Sequence, residues 1–234
     1  LTIHKGTVHA LLGENGAGKS TLMKCLFGIY ARDSGEIIFK GRPVNYSGPK
    51  EALLDGISMV HQELNQVPAQ NVMENIWLGR FPGGLFINEK KMYQDTQEIF
   101  KSLGIEIDPK TKVDDLSVSQ RQMLEIAKAV SCDAKIIVFD EPTSSLTERE
   151  VDHLFNIIRA LKESGVSMIY ISHKMSEIKE ISDELTVMRD GCWVHSGDAA
   201  DVTIDQIISL MVGRDLQNLY PPKTNKPTEK VLLR

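Results

Sequence analysis

Residues 13–21 are the stretch whose residue types and spacing best suit chemistry. They read Gly-Glu-Asn-Gly-Ala-Gly-Lys-Ser-Thr and fit the phosphate-binding pattern G-x-x-x-x-G-K-[ST]. Its glycines let backbone N–H groups turn toward a phosphate. The Lys side chain then reaches this phosphate, and the Ser hydroxyl binds the Mg2+ that accompanies it. The predicted nucleotide-binding residues are Gly13, Glu14, Asn15, Gly16, Ala17, Gly18, Lys19, Ser20 and Thr21.

The flanking residues decide how specific this pattern is. A chance match is the plain alternative, and ordinary residue usage predicts it in roughly one chain of this length in a hundred. Here a short apolar run at 8–12 precedes the loop, and a helical pattern at 22–27 follows it and ends at Gly28. The strand–loop–helix context is the one in which the loop binds phosphate, so it favours a nucleotide site.

An acidic pair, Asp140 and Glu141, directly follows the apolar run 136–139. In open parallel sheets, ligands bind at the carboxyl ends of the strands. Asp140 is predicted to hold Mg2+ through water, and Glu141 to orient or deprotonate the attacking water. An acidic pair can also simply end a strand, but the phosphate loop earlier in the chain favours the catalytic interpretation.

Gln62 and His173 also come just after predicted strands, so both are expected at the same sheet edge. The Gln62 amide could contact the metal and the water, and the His173 imidazole could bond a γ-phosphate oxygen. Taken alone, each residue is more often simply solvated or capping.

Residues 116–120 form a further candidate anion site, because Ser117 opens a predicted helix. A helix start offers free N–H groups, and the Ser117 hydroxyl adds a donor. The alternative is an ordinary Ser N-cap, which composition alone does not exclude.

The spacing of apolar residues predicts an α/β fold. Runs typical of buried strands alternate with helical patterns, as in a P-loop NTPase core whose mainly parallel sheet is flanked by helices. Turn residues around short apolar runs in 33–44 predict an antiparallel β subdomain. Helical patterns without core strands predict an inserted helical subdomain at about 71–131. A nucleotide-binding domain is expected over 1–219, with 220–234 as a linker and the start of a further domain.

Composition limits the possible functions. The chain has 234 residues and a net charge of −5, which argues against binding nucleic acid. It has no run of eighteen apolar residues, so no membrane span is expected. The cysteines Cys25, Cys132 and Cys192 have no metal-ligand spacing, and we expect free thiols in a reducing compartment. Because the first residue is Leu1, we expect a fragment of a longer protein.

Taken in chain order, these motifs resemble the ATP-binding cassette of ABC transporters. The matching stretches are 13–21, Gln62, 116–120, 140–146 and His173, and the resemblance covers nearly the whole chain. It implies ATP and Mg2+ as ligands. It implies catalytic roles for Glu141, His173 and Gln62. It implies that Ser20, Gln62 and Asp140 lie around the metal. It also implies that Ser117 and Gln120 lie at the nucleotide of a second cassette.

Further stretches are similar to bacterial monosaccharide importers, with the galactose and methyl galactoside importers as the nearest likeness. These stretches are 60–65, 140–147, 171–175 and 211–214. The resemblance implies the first of two tandem cassettes, a transmembrane sugar permease, a periplasmic sugar-binding protein, and a peripheral position on the cytoplasmic face of the inner membrane.

The chain departs from the family pattern at three points. Val118 and Ser119 replace two glycines of the family's signature, which residues 116–120 match, and Thr147 replaces a common Asp. The family's aromatic residue that stacks on adenine normally lies upstream of the phosphate loop, and the given chain begins after that position. Other interpretations therefore stay open. They are a ribose-type or other sugar importer, a soluble ABC ATPase of DNA repair or translation, and a regulatory half without catalysis.

Overall fold

The computed structural model describes residues 1–83 and 86–213. Its elements are β1 (Val8–Leu12), α1 (Lys19–Leu26), β2 (Ile37–Phe39), β3 (Arg42–Val44), α2 (Pro49–Asp55), β4 (Ile57–Val60), α3 (Val72–Ile76), α4 (Glu89–Leu103), α5 (Val118–Val130), β5 (Ile136–Asp140), α6 (Glu148–Glu163), β6 (Ser167–Ile171), α7 (Met175–Ile181), β7 (Glu184–Arg189), β8 (Cys192–Asp198) and α8 (Ile204–Val212). The predicted linker at 220–234 lies outside the described residues.

A six-stranded sheet forms the centre, in the order β4-β5-β6-β1-β7-β8. All neighbours are parallel except β7 and β8, which form an antiparallel hairpin around Asp190 and Gly191, a residue pair typical of such turns. The carboxyl ends of β1, β5 and β6 therefore lie side by side at one edge. This arrangement, with its flanking helices, confirms the predicted α/β class.

Both faces of the sheet are covered by apolar side chains, because alternate residues of each strand point to opposite faces. Ile137 and Phe139 of β5 belong to one core cluster, which includes residues of α5 and α6, whereas Val138 belongs to the other, which includes residues of α1 and α2. All residues of β1 and β6 are buried, as in parallel strands covered on both sides.

Two smaller units extend from this core. Strands β2 and β3 pair as an antiparallel hairpin, as predicted. Helices α3, α4 and α5 contact one another. Asn88 caps α4 and Gly104 ends it in the left-handed conformation, and Thr147 and Glu150 form a capping box at the start of α6. Helix α7 was not predicted.

Among the described residues, none of the helices combines the length and apolar character needed to cross a membrane.

Candidate nucleotide site

The phosphate loop connects β1 to α1 and depends on glycine at its first position. Gly13 has φ 155°, and a Cβ there would lie 2.4 Å from the carbonyl oxygen of Met188. A side chain at Gly13 would therefore collide with the backbone of β7. Gly18 has φ 98° and opens α1, a conformation that side chains rarely adopt.

Helix α1 begins without a side-chain cap and with no acidic residue in its first turn. The first N–H groups of a helix have no partner within the helix and carry partial positive charge. The start of α1 can therefore accept an anion at the loop, as the sequence predicts for Ser20 and Thr21, which are both exposed.

Lys19 lies over the loop itself. Its Nζ donates to the Gly13 carbonyl oxygen at 2.7 Å and to the Glu14 carbonyl oxygen at 3.1 Å. Burial lowers the pKa of Lys19, and the negative charges of Asp140 and Glu141 act in the opposite direction. The ammonium group therefore lies near both carboxylates, and a phosphate would supply an anionic acceptor that the two neutral carbonyls do not.

Asp140 ends β5 and is half-buried. Burial raises the pKa of Asp140, and the neighbouring Glu141 raises it further, while His61 and Lys19 lower it. A partly desolvated carboxylate at a strand end is a suitable ligand for a divalent cation. The described residues contain no cluster of three or more His, Cys, Asp or Glu side chains that could hold a metal. A Mg2+ site does not need such a cluster, because one or two carboxylates and the substrate's phosphates usually bind this ion.

Glu141 adopts a backbone conformation that is uncommon for a residue other than glycine. Its φ is 48°, and its N–H donates to the Ile171 carbonyl oxygen at 2.9 Å. The chain thus turns sharply after β5 while staying bonded to β6. Such a backbone outlier persists where the surrounding structure fixes it, and these outliers are frequent at functional sites.

The structure brings three predicted catalytic side chains together. The Gln62 Nε2 donates to Glu141 Oε2 at 3.4 Å, and His173 Nδ1 lies 3.2 Å from Glu141 Oε1. Gln62 and His173 are exposed, whereas the Glu141 side chain is only 23% exposed. The carboxylate thus lies between two polar groups at the edge where the phosphate loop begins. The roles assigned to these residues stay predictions.

Ser117 and Gln120 are placed differently. Gln120 N–H donates to Ser117 Oγ at 3.2 Å, and Ser117 N–H donates to Gln120 Oε1 at 2.9 Å, which makes a capping box for α5. Ser117 Oγ also lies 3.0 Å from Ser119 Oγ. In the part of the chain that the structure describes, their hydrogen bonds stay within this turn and reach no residue of 13–21. The exposed Ser117 is thus available to another molecule.

Sequence reasoning missed a buried acid beside this site. Glu177 on α7 is 5% exposed, and its carboxylate bonds side chains from the segments after β5 and β6. A usable signal existed, since Glu177 precedes Ile181 by one helical turn and so shares its buried face. Because the sequence pattern predicts no helix at 175–181, it does not assign Glu177 to a buried helical face.

The fold and site define the chain as an ABC-type cassette. Residues 1–144 match the ABC transporter family, and the chain belongs to that family. It resembles the ADP conformation of MJ1267, an ATP-binding cassette of an ABC transporter, with a TM-score of 0.79 and 25% identity over 92% of this chain and 91% of that one.

Two curated relatives are more similar to this chain in sequence than MJ1267 is. The galactose/methyl galactoside import ATP-binding protein MglA of Fusobacterium nucleatum subsp. nucleatum is 63% identical over 99% of this chain and 47% of its own length. The protein of the same name in Clostridium perfringens is 63% identical over 99% of this chain and 45% of its own length. The chain thus spans about half the length of these curated relatives.

Proposed function

We propose that this chain is an ATP-binding and ATP-hydrolysing subunit that powers the import of a monosaccharide, galactose or methyl galactoside, through an ABC transporter. The observation that carries the proposal is the position of Glu141. Its carboxylate follows β5, lies between Gln62 and His173, and is close enough to Lys19 to affect the lysine's pKa. The 63% identity to galactoside import proteins supports the sugar class.

The phosphate loop would bind the triphosphate of ATP. The N–H groups at the start of α1 and the Lys19 ammonium supply positive charge for the phosphate oxygens. Lys19 would exchange its contacts with the Gly13 and Glu14 carbonyls for those oxygens. Ser20, Asp140 and Gln62 would hold Mg2+, which when bound neutralises charge on the β- and γ-phosphates.

Glu141 would orient and deprotonate the water that attacks the γ-phosphate. Gln62 bonds one carboxylate oxygen of Glu141 and His173 lies against the other, so both orient the carboxylate. The His173 ring, 67% exposed, can also donate to a γ-phosphate oxygen. Positioning and electrostatic stabilisation supply most of the catalysis in phosphoryl transfer.

The hydroxyl of Ser117 would serve a nucleotide bound by a second cassette, because it is exposed at the start of α5 and bonded only within its own turn in the described structure. In this proposal the partners are that second cassette, a transmembrane sugar permease and a periplasmic sugar-binding protein. The subunit then lies peripherally on the cytoplasmic face of a bacterial inner membrane. The net charge of −5 disfavours a nucleic-acid partner.

Uptake in cells tests the whole proposal. In a strain whose gene for the full protein is deleted, we expect uptake of labelled methyl galactoside to stop. The wild-type gene should restore it and Lys19→Ala should not. Lys24→Ala is the matched control, because Lys24 lies on the same helix and contacts the exposed Tyr30 hydroxyl. Loss of ribose uptake with unchanged galactoside uptake would contradict the sugar assignment. Normal uptake of both sugars would contradict the transport function.

A further inference from the structure

Glu177 is the centre of a polar group that we name the Glu177 cluster, formed with the buried Thr143, Tyr170 and Ser172 and the half-exposed Lys174. Its Oε1 accepts from the Thr143 hydroxyl at 2.6 Å and pairs with the Lys174 ammonium at 3.1 Å. Its Oε2 accepts from the hydroxyls of Tyr170 at 2.8 Å and Ser172 at 3.0 Å. Both oxygens of a 5% exposed carboxylate thus have two partners.

The Glu177 cluster joins the two chain segments that carry Glu141 and His173. Thr143 lies two residues after Glu141, and Ser172 lies directly before His173. Lys174 adds a second connection, because its Nζ also donates to the Thr143 carbonyl oxygen at 3.2 Å and to its hydroxyl at 3.1 Å. These bonds hold the two segments at a fixed separation just behind the proposed active site.

Electrostatics agree with an ionised carboxylate in this position. Burial raises the pKa of Glu177, but the hydrogen bonds from Thr143, Tyr170, Lys174 and Ser172 outweigh it and leave the pKa below its ordinary value. A buried charge is costly unless it is fully bonded. Since apolar side chains often stabilise a core as well or better, a retained buried charge needs a further explanation.

We propose that Glu177 is a positioning residue for ATP hydrolysis, setting the separation of Glu141 and His173 through its bonds to Thr143 and Ser172. This inference rests on the proposed function. The contact that it controls is the 3.2 Å approach of His173 Nδ1 to Glu141 Oε1. The His173 side chain is 67% exposed, so its position depends on the backbone that the Glu177 cluster holds.

The proposal predicts a change in kcat with little change in KM. Small displacements of reacting groups slow catalysis strongly, so Glu177→Gln should lower kcat on the order of 10- to 100-fold. The KM for MgATP should stay within about twofold, because no hydrogen bond or ion pair joins the phosphate loop or α1 to the cluster in the described structure. A merely structural role would instead reduce the amount of active protein.

The experiment measures phosphate release by the purified full protein, with the folded fraction of each variant checked by thermal unfolding. Glu180→Gln is the matched control, because Glu180 lies on the same helix, is exposed and pairs with Arg159. Its kcat should equal that of the wild type. Thr143→Val removes one bond to Glu177 and should also lower kcat, and Thr143→Ser should recover most of the rate because it restores the hydroxyl.

The outcomes separate this inference from the proposed function. A wild-type protein that releases no phosphate would overturn the proposed function and this inference with it. Wild-type turnover with an unchanged kcat in Glu177→Gln would overturn the inference alone. If Glu177→Gln does not fold, the decision passes to the Thr143 pair. Equal kcat values in Thr143→Val and the wild type would then overturn it.

Discussion

The phosphate-loop site and the Glu177 cluster lie at the same edge of the sheet but differ in how their charges are partnered. In the first, burial lowers the pKa of Lys19 and raises that of Asp140. In the second, hydrogen bonds lower the pKa of Glu177 despite its burial. In the first region the Lys19 ammonium bonds neutral carbonyl oxygens, and in the second both oxygens of the Glu177 carboxylate are satisfied.

The binding site and the cluster that supports it lie in one fold but use their charges in different ways. Charges that burial disfavours in the free protein are stabilised when a charged ligand arrives, so they favour binding. A fully bonded charge gains nothing from a ligand and instead fixes the backbone around it. We therefore expect mutations in the phosphate-loop site to change ligand binding and mutations in the Glu177 cluster to change stability and geometry.

Binding of MgATP should show the largest effect. At a ligand concentration of 100 times the Kd, a bound ligand raises the free energy of unfolding by about 2.7 kcal/mol. Thermal unfolding with and without MgATP should show this gain in the wild type and in Lys24→Ala. Lys19→Ala should show almost none, because it lacks the charge that faces the phosphates. A full gain in Lys19→Ala would remove the distinction between the two regions.

Removing one hydrogen bond from the Glu177 cluster should have the second-largest effect. Tyr170→Phe deletes a fully buried hydroxyl and leaves Glu177 Oε2 with one partner fewer. The free energy of unfolding in urea should fall by about 1–3 kcal/mol. The gain from MgATP should be retained. The control Tyr93→Phe, whose hydroxyl accepts an exposed hydrogen bond from Gln97, should change stability by about 0.5 kcal/mol or less. Equal losses in both variants would contradict the account.

Asp140→Asn should change stability in the opposite direction. Since the charged form of Asp140 is disfavoured in the folded protein, a neutral side chain of the same shape should stabilise the nucleotide-free state. We expect the Tm to rise, and in a domain of this size each 1 kcal/mol of stabilisation corresponds to about 2–4 °C. Phosphate release should be lost at the same time. A lower Tm would show that the Asp140 charge is already well partnered.

The smallest effect is a difference in pH dependence. The pKa of Glu177 is lower in the folded than in the unfolded protein, so its contribution to stability is complete above the ordinary value of 4.5 and is lost as pH falls through the folded pKa. Asp140 has the opposite shift, so its destabilising effect disappears on acidification.

Urea titrations at several pH values test these signs. On acidification, the wild type should lose stability relative to Glu177→Gln and gain stability relative to Asp140→Asn. If both differences change in the same direction, one of the two pKa shifts has the wrong sign.

The local parts of the site could be predicted from sequence. The phosphate loop and the strand ends at Asp140, Gln62 and His173 follow from short patterns and from the rule that parallel strands end at one edge. The Glu177 cluster could not be predicted, because Thr143 and Glu177 are 34 residues apart and meet only through the packing of α7. The left-handed backbone of Glu141 is also set by its bond to β6.

The central claim is that Glu141 activates the water while other residues bind the nucleotide. The most direct test measures MgATP binding and phosphate release in Glu141→Gln, with Glu148→Gln on the exposed start of α6 as the control. We predict that Glu141→Gln binds MgATP as the wild type does and loses turnover by about 100-fold or more. Turnover close to the wild-type rate in Glu141→Gln would contradict the account.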